Sequence, residues 1–139
     1  MINRIEKKVI SKFDNVDGFV NVLKSNPGIF IVKFSADWCK PCKKIKPVVD
    51  AVFASTPAEV VCADIDISED GNKDIYSFLK NRRMINGVPT LFMYRKGNND
   101  LLVPDESISG ANAASLHTFF TRCGMHLSNL KTQSTTISV

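Results

Sequence analysis

Apolar positions along this chain alternate between short continuous blocks and longer stretches spaced three or four residues apart, the marks of buried strands and amphipathic helices. Lys8 to Phe13 reads as a short strand. Asn15, or Asp14 before it, can cap a helix with Val16, Phe19, Val20 and Leu23 on one face, which Asn26-Pro27-Gly28 ends. Ile29 to Phe34 is apolar except for Lys33, so it reads as a strand buried on both faces with Lys33 out of place. A second helix from about Cys39 to Ala54 carries Ile45, Val48, Val49, Val52 and Phe53 at helical spacing, with a kink expected at Pro47.

After Thr56-Pro57, Glu59 to Ile67 suits a third strand and Asp74 to Leu79 a third helix. Gly87-Val88-Pro89-Thr90 turns the chain into a strand at Leu91 to Arg95. Beyond the turn formers Lys96 to Asp100, Leu101 to Ile108 can return as a hairpin partner, with Pro104 at an edge or bulge. Gly110-Ala111-Asn112 precedes a last helix with Leu116, Phe119 and Phe120 on one side. The order βαβαβαββα predicts an α/β fold, a central mixed sheet flanked by four helices on both faces. Residues 1–127 form one domain in this reading, and Ser128 to Val139, rich in Ser and Thr without apolar periodicity, is a flexible tail.

Composition narrows the class without naming an activity. The 139 residues are 44% hydrophobic and 23% charged with a net charge of +4, an ordinary globular balance. No dense Lys/Arg block with interleaved aromatics points to nucleic acid. Met1 to Phe13 holds Arg4, Glu6, Lys7, Lys8 and Lys12 and does not read as a signal peptide, and no segment is apolar for long enough to span a membrane. The expectation is a soluble, cytoplasmic monomer with no nucleic-acid or membrane partner.

The cysteines change the picture more. Four of them, Cys39, Cys42, Cys62 and Cys123, are too few and too unevenly spaced for a disulfide framework in a chain this long. Cys39-Lys40-Pro41-Cys42 lies between a buried strand and a helix start. There the first sulfur meets unpaired N–H groups and the positive end of the helix dipole, which favour its thiolate, and the second stands one turn later, able to attack a mixed disulfide. The rival reading is half of a zinc site, but Cys62, Cys123, His117 and His126 form no second CxxC or HxxxH pair.

Ala36-Asp37-Trp38-Cys39-Lys40-Pro41-Cys42-Lys43 closely resembles the active site of the thioredoxin family, and Gly87-Val88-Pro89-Thr90 before an apolar strand matches the family's cis-proline loop. The resemblance covers roughly Lys8 to Leu127, with Ser109 to Asn112 matching the family's last strand-to-helix turn. It implies a thioredoxin fold and a thiol–disulfide oxidoreductase that reduces partner-protein disulfides without a cofactor or metal. Cys39 would be the nucleophile and Cys42 the resolving thiol. Trp38, Lys40, Pro41, Val88 and Pro89 would border the substrate groove, Trp38 shielding the dithiol and the Val88 backbone holding an extended segment like an added strand. A recycling reductase or a small thiol would restore the dithiol. Net oxidase or isomerase activity, or a binding module without turnover, are the alternatives.

One departure stands out. The family usually has a buried Asp six residues before the nucleophile, assisting proton transfer with the resolving thiol, and this chain has Lys33 there. Lys33 either runs its ammonium out to water, the favoured arrangement, or stays buried and neutral and accepts a proton from Cys42. If charged beside the dithiol, it would favour the thiolate and make the couple more oxidising, as would Lys40 and Lys43. The Lys that often neighbours that Asp on the next strand is matched here by Cys62, read as a core residue. Lys40, Lys43, Lys44 and Lys46, together with Lys80, Arg82 and Arg83, suggest a preference for acidic partner surfaces.

Overall fold

The computed structural model describes residues 7–137, with side chains up to Lys131. Arg4 and Glu6 of the basic N-terminal segment, and the last two residues of the C-terminal one, lie outside the described residues. Five strands and four helices follow in the order β1 (Val9–Ile10), α1 (Val16–Lys24), β2 (Ile29–Ser35), α2 (Lys40–Ser55), β3 (Val60–Asp66), α3 (Asp70–Asn81), β4 (Thr90–Arg95), β5 (Glu106–Ser109) and α4 (Ala113–Ile137). The predicted α/β order is thus reproduced element by element.

The strands lie in the order β1-β3-β2-β4-β5. β3 runs parallel to β1 and β2, while β4 is antiparallel to β2 and β5 to β4. β2 sits at the centre because it is apolar on both faces, and it is buried from Ile29 to Phe34. One face of the sheet packs Phe30, Val32, Phe34, Phe92 and Tyr94 against Phe19, Ile75 and Leu79. The other packs Ile29, Ile31, Cys62, Leu91 and Met93 against Ile45, Val49 and Phe53 of α2 and Leu116 and Phe119 of α4.

Besides α3, which runs from Asp70 to Asn81 rather than from Asp74 to Leu79, three boundaries differ from the sequence reading. The first strand is only Val9–Ile10, because the chain beyond it is held by side-chain bonds rather than by a ladder. Asn72, fully buried, accepts from Phe13 N at 2.9 Å and donates to Ser11 O at 3.1 Å and Asp66 O at 3.2 Å. Beside it Gly71 comes so close to Phe13 that a Cβ would lie 1.8 Å from that residue's carbonyl oxygen. β5 is shorter than expected because Asn98 and Asp100 fold residues 98–102 into side-chain-bonded turns before Pro104.

The third difference is at the C-terminus, where a flexible tail from Ser128 was expected. α4 instead continues to Ile137. No Gly or Pro interrupts Ser128 to Ile137, and Lys131 pairs with Glu59 at 3.0 Å, tying this part of the helix to the start of β3. α2 likewise runs on through Pro47. Among the described residues, no helix is long and apolar enough to cross a membrane.

Candidate active site

Chain geometry brings the CxxC to the C-terminal end of the central strand. β2 ends at Ser35, and the residues after it turn so that Cys39 N donates to Ala36 O at 3.1 Å. Cys39 then caps α2, its sulfur accepting from Cys42 N at 3.2 Å, with Pro41 in the first turn where its missing N–H costs nothing. Cys39 and Cys42 form a disulfide. Both are buried, at 4% and 3% exposure, whereas the neighbouring Trp38 is 70% exposed. Lys40 and Pro41 are also exposed.

The loop before β4 closes over the disulfide. The Val88-Pro89 bond is cis, and Gly87 before it has a φ of 120°, in the region that glycine tolerates best. Thr90 Oγ1 donates to Gly87 O at 2.9 Å and Gly110 N donates to Pro89 O at 2.9 Å, so the loop is tied at both ends. The Val88 carbonyl oxygen lies 3.6 Å from Cys39 Sγ. In the disulfide state this is a contact, since neither atom carries a hydrogen. The structure therefore gathers Trp38, Cys39, Lys40, Pro41, Cys42, Val88 and Pro89 in one place.

Lys33 is 2% exposed and does not reach bulk water. Its Nζ lies 3.5 Å from both carboxylate oxygens of Asp64, the residue directly across the β2/β3 register, whose side chain is 23% exposed. Neither sequence-based arrangement anticipates this pair, and the partner is Asp64 rather than the position read as Cys62. Cys62 lies two residues earlier in the core, opposite Ile31, where burial pushes its thiol up while a contact with Thr56 Oγ1 at 3.6 Å opposes the shift. Asp64 offsets the Lys33 charge locally, while Lys40 and Lys43 remain exposed cations beside the dithiol.

Lys33, Asp64 and Cys42 line one cleft of about 370 Å³, together with Ser35, Asp37 and Asp66. A larger cleft of about 580 Å³ lies between β5 and α4 and shares no residue with the dithiol. Glu106 there lies 2.9 Å from His126 Nε2 and forms an ion pair with Arg122 at 3.4 Å. Among the described residues no group of three or more His, Cys, Asp or Glu side chains is placed to hold a metal ion. Cys123 is buried, its thiol pushed up to about 12 chiefly by desolvation, with the Glu106 charge adding to the shift.

A disulfide at a helix start, faced by a cis-proline on a mixed five-stranded sheet, puts this chain in the class of proteins that carry a CxxC dithiol at the cap of a helix. The comparisons carry this to a family. The family model described as Thioredoxin matches residues 10–122. A thioredoxin of Thiocapsa roseopersicina is 36% identical over 75 residues, which span 54% of this chain and 75% of that protein. A thioredoxin domain-containing protein of Theileria parva is 34% identical over 70 residues, 50% of this chain and only 29% of that longer protein. The crystal structure of Plasmodium falciparum thioredoxin superposes with a TM-score of 0.60 at 29% identity, covering 80% of this chain and 84% of that one. This chain belongs to the thioredoxin family.

Proposed function

We propose that this chain reduces disulfides of partner proteins, with Cys39 as nucleophile and Cys42 as resolving thiol. The observation that carries the proposal is the sulfur at the α2 cap, beside an exposed Trp38 and 3.6 Å from the Val88 carbonyl. In the reduced protein Cys39 meets the Cys42 N–H and the positive end of α2, with no acidic residue in that helix's first turn to oppose its thiolate. An incoming disulfide is attacked by Cys39, a mixed disulfide forms, and Cys42 displaces the reduced partner. A recycling reductase or a small thiol then supplies the two electrons that restore the dithiol.

Trp38, Pro41, Val88 and Pro89 border the groove for an extended partner segment, with the Val88 backbone available for strand-like bonding. Exposed Lys40, Lys43 and Lys44, which make no ion pair among the described residues, favour partners with acidic residues near the disulfide. Trapping tests the reading. Cys42→Ser is expected to accumulate partners joined to Cys39, and Cys39→Ser to lose both trapping and turnover. Partner binding that persists in Cys39→Ser, in a parent that turns nothing over, would instead mark a docking module.

A further inference from the structure

Resolution of the mixed disulfide needs Cys42 as a thiolate, yet Cys42 is buried beneath the first turn of α2. Its proton must leave through the cleft that Cys42 shares with Lys33 and Asp64. Lys33 itself is a poor acceptor, because an ammonium held against a carboxylate has donors only. Lys43 and Lys46 on the α2 wall are cations too, and Lys46 is bound to Asp50 at 3.0 Å. Of the three carboxylates on the cleft, Asp66 is turned to the exposed Ser68, its Oδ1 accepting from Ser68 N at 2.9 Å and Oγ at 2.5 Å. Asp37 is on the exposed turn before Trp38. Asp64 is the one fixed between buried and open ends, held by Lys33 on the inside and partly exposed on the outside.

The geometry points to Asp64 as the group that takes the Cys42 proton, through water in the cleft. The inference rests on the exchange reading above and adds a residue on a different strand from the position where the family places its acid. A volume of about 370 Å³ has room for water between the thiol and the carboxylate. Lys46 on the opposite wall feels the same carboxylate. Its pKa is raised mainly by its bond to Asp50, with the Asp64 charge contributing further.

The Cys42 S–H bond breaks and its proton passes by water to the Asp64 carboxylate. The Cys42 thiolate attacks Cys39 Sγ, forming the Cys39–Cys42 bond and breaking the bond from Cys39 to the partner sulfur. The leaving thiolate takes a proton from Asp64 or solvent, so the chain is oxidised by two electrons and the partner reduced by two.

The experiment follows the reduced full chain reacting with a disulfide-bearing peptide, quenched in acid and weighed by mass spectrometry between about pH 5 and 9. Formation of the mixed disulfide reports Cys39, and its decay reports Cys42. Asp64→Asn, which keeps the shape and an oxygen for Lys33, is expected to slow decay at least about tenfold at neutral pH and to make it rise more steeply with pH. Formation should stay within about threefold of the parent. Lys33→Met, Asp37→Asn and Asp64→Glu should keep most of the decay rate, and Lys33→Met/Asp64→Asn, which leaves no unpaired buried charge, should lose it as Asp64→Asn does. Decay in Asp64→Asn within about threefold of the parent, equal slowing of both phases, or a loss that follows Lys33 or Asp37 instead overturns the inference. Absence of the first phase in the parent overturns the exchange reading itself.

Discussion

Phe30, Val32 and Phe34 of β2 face a core of aromatic rings, while Ile29, Ile31 and Lys33, one residue out of step, face α2 and α4. On the first face, Phe19 packs on Phe30 with ring centroids 5.4 Å apart and Phe30 on Tyr94 at 6.0 Å. Its polar tip, the Tyr94 hydroxyl, is satisfied by the Leu101 carbonyl at 2.7 Å. On the second face the strands present aliphatic side chains, Met93 and Cys62 to helix residues that include Phe53 and Phe119, and the C-terminal end of β2 adds the Lys33–Asp64 ion pair. This face can hold a charge because a cleft beside Asp64 leaves that carboxylate partly exposed, and Cys42 lines the cleft while packing, with Cys39, against the aromatic core.

The largest test of this contrast is Phe30→Ala, which empties a fully buried ring site. It is expected to cost about 3–5 kcal/mol of unfolding free energy in a denaturant titration, with the exchange rate per folded molecule unchanged. A comparable loss of exchange rate would show that the two faces are not separable. On the charged face, Asp64→Leu alone strands the Lys33 cation and should cost about 3 kcal/mol. Lys33→Met/Asp64→Leu removes both charges and should return to within about 1 kcal/mol of the parent. A double variant as unstable as the single one would mean that the pair holds the sheet together.

Raising the pH acts on both faces in the same direction. Burial pushes the Cys62 and Cys123 thiols above the ordinary value of 9.0, so the folded chain keeps protons that the unfolded chain releases. The Cys123 contribution is whole below about pH 9 and is lost as pH climbs toward about 12, by up to about 1.4 kcal/mol per unit, and Cys62 acts in the same direction. The Tyr94 hydroxyl is shifted in the same direction, chiefly by burial, on the aromatic face. The unfolding midpoint should therefore fall above pH 9, less steeply in Cys123→Ala. An unchanged slope in that variant would place the alkaline loss elsewhere. The smallest effect expected is a gain. Arg83 ends α3 with a φ of 61°, its N–H bonded to Lys80 O and that of Met84 to Leu79 O, an end that glycine fits without a Cβ penalty. Arg83→Gly should stabilise by about 1 kcal/mol, measured by denaturation, and leave both faces as they are.

The dithiol was legible in the sequence because its logic is local: a buried strand, a turn, and sulfurs one helical turn apart. The central strand was legible for the same reason, since six consecutive buried residues leave little else to infer. The partner of Lys33 was not. Strand pairing has a period of two, and only the register that sets Lys33 opposite Asp64, rather than Ile31 opposite Cys62, decides which side chain meets the cation. The long α4 was missed because Ser and Thr weaken a helix without ending it, and the ion pair to Glu59 is a contact between distant segments. Likewise the residues after Ile10 are held by the amide of Asn72, far along the chain.

Trp38 is the only tryptophan in the 139 residues, and it stands next to the disulfide with most of its surface in water. Its indole emission therefore comes from one known position, uncontaminated by the rest of the chain. A neighbouring disulfide quenches an excited indole and a dithiol does so less, which gives the protein a built-in optical gauge of its own oxidation state. Electron flow in either direction can be timed on the unmodified molecule, without a label or an added dye.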